Sequence, residues 1–317
     1  MSKIEIPSKE KLLAISGNIK PYIHHTPVLH SASLDKLSGS RLLFKCENFQ
    51  KTGSFKIRGA MNAVLLLTPE ERKKGIITHS SGNFAQAAAY AAGCLGVKAK
   101  IVMPKNVVPA KRDAVLGYGA EIIYSGDLPG DREEKCHAEQ KISGAAFIHP
   151  SNDINVITGH SSCAIEFIND NEPLDAVFVP VGGGGLISGI AMGCAAFSPG
   201  TKVIGGEPAG ADDAYQSIKA GFIIPQTSPQ TIADGLRTSL GDVTFPIIRE
   251  LVHEIVTVTE EEIISAMRLI WQRMKILIEP SSAVAFSAFL KRSTDFNKKR
   301  VGIILSGGNV NIDNLPF

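Results

Sequence analysis

Four short segments of this sequence carry side chains that can do chemistry. The first is Lys51-Thr52-Gly53-Ser54-Phe55-Lys56-Ile57-Arg58-Gly59-Ala60, where Lys56 sits between an aromatic and a β-branched residue after a Gly-Ser turn. A desolvated lysine in such a place has a lowered pKa and forms an imine with an aldehyde. On local chemistry alone, a basic helix start at the surface is the favoured reading. The second is Ser80-Ser81-Gly82-Asn83-Phe84-Ala85-Gln86-Ala87, between a strand ending near His79 and an Ala-rich helix. Its hydroxyls and backbone amides suit a carboxylate or phosphate, or simply cap the helix through Ser81 or Asn83. The third is Val181-Gly182-Gly183-Gly184-Gly185-Leu186, after one strand and before a helix. Consecutive glycines lose much unfolded-chain entropy on folding, and the usual reason is backbone amides wrapped closely round a phosphate. The fourth is Leu305-Ser306-Gly307-Gly308-Asn309, at the end of the last strand, where α/β sheets bind ligands.

A weaker fifth segment is Gly206-Glu207-Pro208-Ala209-Gly210-Ala211-Asp212-Asp213. Its carboxylates and loop carbonyls are oxygen ligands for a hard cation, although acidic loops are more often solvated. Other chemistries have no foothold. The glycine run lacks the dinucleotide spacing, and no phosphate loop of the nucleotide-hydrolase kind occurs, so the implied anion is the phosphate of a small cofactor. No zinc signature and no nucleophile elbow is present.

The elements that must position these segments alternate along the chain. Strands are expected at Ile76-Ile77-Thr78, Lys100-Ile101-Val102-Met103, Glu121-Ile122-Ile123-Tyr124, Ala146-Phe147-Ile148, Ala176-Val177-Phe178-Val179, Lys202-Val203-Ile204 and Gly302-Ile303-Ile304-Leu305. Their near-continuous apolar character suits parallel strands covered on both faces. Capping boxes at Thr68-Pro69-Glu70-Glu71 and Thr259-Glu260-Glu261-Glu262 start two of the intervening helices. The fold class is therefore α/β, mostly parallel, with two interleaved domains.

The chain of 317 residues can bury a substantial core. With 33 basic and 31 acidic side chains it gives no reason to expect disorder or a nucleic-acid surface. Five scattered cysteines argue against a disulfide framework and for a reducing, cytoplasmic setting. The N-terminal MSKIEIPSKEK lacks the apolar stretch of a secretory leader. The longest uncharged run, between Asp175 and Lys202, exceeds the roughly 18 residues that raise a membrane question. Pro180 and the four glycines break it, so no membrane span is expected.

Taken in order, SFKIRGA, SSGN, GGGG and SGGN resemble the fold-type II pyridoxal-phosphate enzymes, the family of serine racemases and serine/threonine dehydratases. The likeness runs from Thr26-Pro27 to Asn309, and GEPAGADDAYQS, TIADGL, RMKILIEP and ILSGGNV resemble its racemase branch. It implies a large cofactor-binding domain from 1–74 and 153–317, and a small mobile domain from 75–152. It implies Lys56 as the Schiff-base lysine and base on one cofactor face, with Ser81 as acid/base on the other. Asn83 would bind the ring hydroxyl, Gly182, Gly183, Gly184 and Gly185 the phosphate, Ser306 the pyridine nitrogen, and Phe55 would pack beside the ring. Ser80, Ser81 and Asn83 would hold the substrate carboxylate, with Arg132 and Thr238 as further substrate contacts. Glu207, Asp213 and the Ala211 carbonyl match a site for Mg²⁺, Ca²⁺ or Mn²⁺. Lys51, Thr52, Gln86, Tyr118, Lys275 and Asn309 match positions that bind ATP at a subunit interface, which implies a homodimer. The activity implied is interconversion of L- and D-serine with loss of water to pyruvate and ammonia. The alternatives are a dehydratase of 3-hydroxyaspartate, serine or threonine, and a non-catalytic cofactor-binding protein. Ser81 stands where threonine dehydratases carry Ala, and the chain ends soon after SGGNV, short of a C-terminal regulatory domain. Two positions depart from the family pattern: Phe84 replaces a His after SSGN, and Gly159-His160-Ser161-Ser162 replaces GQGT.

Overall fold

The computed structural model describes residues 6–107, 109–126, 129–313 and 315–316. In chain order the strands are β1 (Val28–Leu29), β2 (Arg41–Cys46), β3 (Ile76–His79), β4 (Ala99–Pro104), β5 (Glu121–Ser125), β6 (Ala146–Phe147), β7 (Ala176–Pro180), β8 (Lys202–Pro208), β9 (Glu254–Val258) and β10 (Arg300–Leu305). They make two open sheets: β1-β2-β10-β7-β8-β9, and β5-β4-β3-β6. Among the described residues the β1–β2 strand pairing is antiparallel and the other strand pairings are parallel.

All seven expected strands are present. The apolar run between Asp175 and Lys202 is β7, a glycine turn and the helix Gly185–Phe197. Among the described residues no helix is long and apolar enough to cross a membrane. Both capping boxes form, with Thr68 accepting from Glu71 N and Thr259 from Glu262 N. Three strands escape the periodicity. β2 is broken by Arg41 and Lys45, and Lys45 is fully buried because its ammonium donates to Thr26 O and Glu166 Oε2, each at 2.8 Å. β1 has two residues, and β9 leads into a capping box without a turn signal.

Aromatic side chains fill the interior of the larger sheet. Phe286 and Phe289, on the helix Pro280–Arg292, meet Phe44 and Phe178 edge-to-face with centroids 5.5 Å apart. Fully buried side chains of this size contribute roughly 1.5–3 kcal/mol each. The chain then turns sharply where β3, β7 and β10 end, at His79, Pro180 and Leu305. Each strand end delivers one of the expected turns, the second, third and fourth segments above.

A buried charge cluster ties the first segment to this frame. Arg58 is fully buried and donates to Glu47 through Nε (2.7 Å) and Nη2 (2.8 Å). It also donates to both oxygens of Glu166 at 2.7 Å and to Ser162 Oγ at 3.1 Å. Thr26 completes the Glu47 shell with its hydroxyl. Removing one partner from such a cluster strands the others without water. Arg58→Ala is expected to destabilise the protein by roughly 3–5 kcal/mol, read as a lower urea midpoint with an unchanged slope.

Candidate active site

Lys56 opens the helix Lys56–Leu65, directly after the short bridge that pairs Ser54 with Gly307. Phe55 N donates to Ser306 O at 3.0 Å, so the first and fourth segments are stitched together by backbone bonds. The ammonium of Lys56 donates to Pro150 O at 3.0 Å. It lies 5.0 Å from the Phe55 ring centre and 5.7 Å from that of Phe84. Desolvation outweighs the pull of the Glu279 carboxylate and brings its pKa down to about 8. The surface reading of this lysine is therefore wrong, because two aromatic rings and a carbonyl enclose its charge.

Glu279 is the group that sequence reasoning missed. It precedes Pro280 at the start of the helix Pro280–Arg292 and is buried. Asn83 Nδ2 donates to its two oxygens at 2.9 and 3.1 Å. Burial, helped by repulsion from Asp234, lifts its carboxyl pKa to about 7 against the Asn83 hydrogen bond. Asn309 Nδ2 donates to Asn83 Oδ1 (2.9 Å) and to Thr52 O (2.8 Å), which joins the first, second and fourth segments in one chain of bonds. The only signal for Glu279 in the sequence was the Ile-Glu-Pro string, which reads equally as an ordinary helix start.

The serine turn lies at the mouth. Ser80 Oγ accepts from Gly82 N, and Arg132 Nη1 donates to Ser81 Oγ, both at 3.3 Å. Ser306 Oγ is 3.1 Å from Ser282 Oγ. Ser282 donates its one proton to Gly307 O and accepts from Gly307 N, both at 2.7 Å. With the Ser282 proton committed to Gly307 O, Ser306 is the donor in the 3.1 Å contact, and rotation about its C–O bond can redirect that proton to another acceptor.

The four glycines turn between β7 and the helix Gly185–Phe197. Gly184 has φ +81°, a left-handed backbone that favours glycine. A Cβ on Gly183 would lie 2.4 Å from Ser151 Oγ and 3.2 Å from Thr238 Oγ1, and one on Gly185 2.9 Å from Ser151 O. The loop is therefore a side-chain-free cradle ending in a helix N-terminus, edged by Ser151 and Thr238. Sequence reasoning also missed Ser151. These donors suit a phosphate group, and Lys56 suits the aldehyde of the same small cofactor.

The acidic segment forms a separate site. Glu207, at the end of β8, accepts from Ala214 N and Tyr215 N at 2.9 Å. Asp213 Oδ2 accepts from Leu240 N at 2.9 Å, and its buried Oδ1 has no partner. Burial and mutual repulsion hold Glu207 well above the usual carboxylate range, while burial raises Asp213 to about 6. Ala211 is buried in the turn between them. Among the described residues no group of three or more acidic, His or Cys side chains converges, so two carboxylates and a carbonyl are what this site offers. Of the positions matched to ATP, Lys51 lies 5.6 Å from the Tyr90 ring centre and Tyr118 lies 5.4 Å from it. Thr52 and Asn309 are bonded to each other, and Gln86 is buried nearby on the helix Asn83–Cys94. Lys275 ends a different helix, Glu260–Met274, in a left-handed conformation.

Residues 19–307 match the model of the family described as "Pyridoxal-phosphate dependent enzyme". This chain belongs to that family. The chain is 46% identical over 312 residues to the β-hydroxyaspartate dehydratase of Paracoccus denitrificans, covering 98% of this chain and 99% of the relative. It is 47% identical over 302 residues to a serine racemase of Arabidopsis thaliana, covering 94% and 91%. The solved structure of maize serine racemase superposes with a TM-score of 0.94 at 41% identity, covering 98% of this chain and 95% of that one. The family establishes pyridoxal phosphate as the cofactor class and confirms the fold class inferred from the order of motifs.

Only the unprotonated Lys56 amine attacks an aldehyde. The rate at which cofactor-free protein takes up pyridoxal phosphate, followed by growth of the visible band, is expected to rise with pH through about 8. Glu279→Gln removes the charge that raises the lysine pKa, so the midpoint is expected to move lower still. A midpoint near the ordinary lysine value in the parent protein contradicts the enclosure described here.

Proposed function

We propose that this protein is a serine racemase with a β-elimination side reaction. The observation that carries the reading is the placement of Ser81 beside Arg132, in the turn whose Asn83 is bonded to the Lys56 neighbour Glu279. Bound pyridoxal phosphate supplies an aldehyde for a lysine amine and a conjugated ring that delocalises the negative charge left at Cα. Lys56, with a pKa near 8, accepts or returns the Cα proton on one face. Ser81 does so on the other, and the Arg132 guanidinium, donating to its Oγ, stabilises the alkoxide that forms there. Ser80, Ser81 and Asn83 receive the substrate carboxylate. Gly182 to Gly185 hold the cofactor phosphate, and Phe55 flanks the ring. Ser306 offers its proton to the pyridine nitrogen, and a hydroxyl there, unlike a carboxylic acid, leaves that nitrogen neutral. The four-stranded sheet, within 75–152, is the small domain that closes over substrate.

The reading includes a divalent cation, Mg²⁺ in the first instance, at Glu207, Asp213 and the Ala211 carbonyl. The unpartnered Asp213 oxygen supports it. It also includes a homodimer with ATP at Lys51, Thr52, Gln86, Tyr118, Lys275 and Asn309, and a cytoplasmic location, which the five unpaired cysteines favour.

A dehydratase acting on 3-hydroxyaspartate is the second reading. Arg132 favours it, because its guanidinium bonds to a serine hydroxyl and a second substrate carboxylate is a better partner. The identity to the Paracoccus enzyme over nearly the whole of both chains also favours it. Purified protein with pyridoxal phosphate, Mg²⁺ and L-serine, assayed for D-serine and pyruvate, separates the two. D-serine above the non-enzymatic control is expected; pyruvate alone, with faster turnover of 3-hydroxyaspartate, transfers the assignment. Ser81→Ala is expected to slow racemisation by roughly 100-fold or more, while pyruvate formation falls much less. Equal loss of both contradicts the two-face scheme.

The cation has its own test. Without metal, the raised carboxyl pKa values mean that stability is lost as pH rises from the ordinary carboxylate range through about 6. Mg²⁺ at a hundredfold excess over its Kd is expected to add about 2.7 kcal/mol at pH 7, seen as a higher melting temperature. The gain is expected to vanish below pH 5 and in Asp213→Asn.

A further inference from the structure

His160 has no part in the chemistry above, yet it is fully buried, on the helix Ile154–Asn169. Neither ring nitrogen has a hydrogen-bond partner among the described residues. A buried imidazole with both nitrogens unpaired weakens a fold, and such groups are rare enough to demand a reason. The surroundings supply one. The ring stands edge-on to Phe55, with centroids 4.7 Å apart and planes at 67°. Phe55 in turn faces the Lys56 ammonium at 5.0 Å. The socket is shaped for this ring. A Cβ at Gly59, on the Lys56 helix, would lie 2.5 Å from His160 Cε1, and one at Gly189, on the helix after the glycine turn, 2.7 Å from His160 Cβ. Three helices thus leave room for one planar side chain behind Phe55. Burial disfavours a positive charge on the ring, and nearby Lys56 and Arg58 act in the same direction, so the ring is neutral.

We infer that His160 is a positioning residue: its ring braces Phe55 from behind and so fixes the aromatic face against which the Lys56-bound cofactor lies. This deepens the proposed function and rests on its assignment of Lys56. A brace explains why a planar ring is kept where an aliphatic side chain has no unpaired polar atoms. Leu has similar bulk but is not planar; Phe keeps the plane and drops the nitrogens.

The test compares His160→Leu and His160→Phe with the parent protein, each with and without pyridoxal phosphate. In the cofactor-free state both variants are expected to melt at or above the parental temperature, because two unpaired buried nitrogens are gone. Loaded with cofactor, His160→Leu is expected to lose at least half of the induced circular dichroism of the visible band. Its kcat is expected to fall about tenfold, with KM changed less than twofold. His160→Phe is expected to restore both signals to within twofold of the parent. If the dichroism and kcat of His160→Leu match the parent, the inference is overturned. It is also overturned if they fall only in step with a lowered melting temperature, which marks a structural role. If His160→Leu does not fold, His160→Met, equally apolar and non-planar, is read in the same way. A parent protein with no visible band refutes the assignment of Lys56 itself, which is a different failure from an unchanged variant.

Discussion

The placement of the reactive lysine depends on Arg58. One residue, Ile57, separates them, and Arg58 is held on one side by Glu47, at the end of β2, and on the other by Glu166, on the Ile154–Asn169 helix. The helix that begins at Lys56 cannot rotate or slide without breaking charge-assisted hydrogen bonds in a region closed to water. A cluster of this kind is weak evidence for overall stability, since its desolvation offsets most of its attraction. Its value is geometric. An apolar residue at the same position allows small slips; five N–H bonds to two carboxylates and a hydroxyl do not.

With its position fixed, the lysine can be tuned. Burial beside Phe55 and Phe84 disfavours its charge, against the hydrogen bond to Pro150 O, and enclosure of Glu279 disfavours that group's charge as well. The result is a base brought down to about 8 and an acid brought up to about 7, each held by separate segments of chain. Environments that push two titratable groups away from their solution values toward neutrality are the usual mark of proton-transfer chemistry. Here Glu279 is bonded to Asn83, which opens the helix after β3 and is bonded in turn to Asn309 beyond β10, so it joins the small sheet to the large one.

What the sequence disclosed and what it hid follow one physical rule. Features written in neighbouring residues were legible: the buried parallel strands, the two capping boxes, the glycine turn and the serine turn all depend on spacing within a few positions. Features made by long-range burial were not. β2 looked broken because Lys45 appears solvated until Glu166 is placed beside it, 121 residues away. Glu279 looked like a helix start, and only Asn83, 196 residues earlier, gives its carboxylate a function. Ser151 has no local pattern at all, and it edges the glycine turn because Gly183 and Gly185 opposite it leave the space. The order of four motifs supplied, through family resemblance, what no single motif held.

The two departures from the family pattern, at 84 and 160, look from sequence like a polar side chain moved from one segment to another. The structure gives each a different position relative to the lysine. Phe84 is buried among the apolar residues between the Lys56 and Asn83 helices and faces the ammonium directly. His160 lies edge-on to Phe55, which stands 5.0 Å from the ammonium, and the nearby Lys56 charge helps keep the imidazole neutral. A histidine at 84 would put polar nitrogens beside the lysine amine and weaken the desolvation that lowers its pKa. Phe84 therefore strengthens the apolar enclosure, while the ring at 160 packs on Phe55 and stays neutral. The exchange does not carry one hydrogen-bonding group to a new place. It sharpens the division of the lysine pocket into an apolar lining, which sets how readily the amine gives up its proton, and a rigid outer wall, which sets where it points.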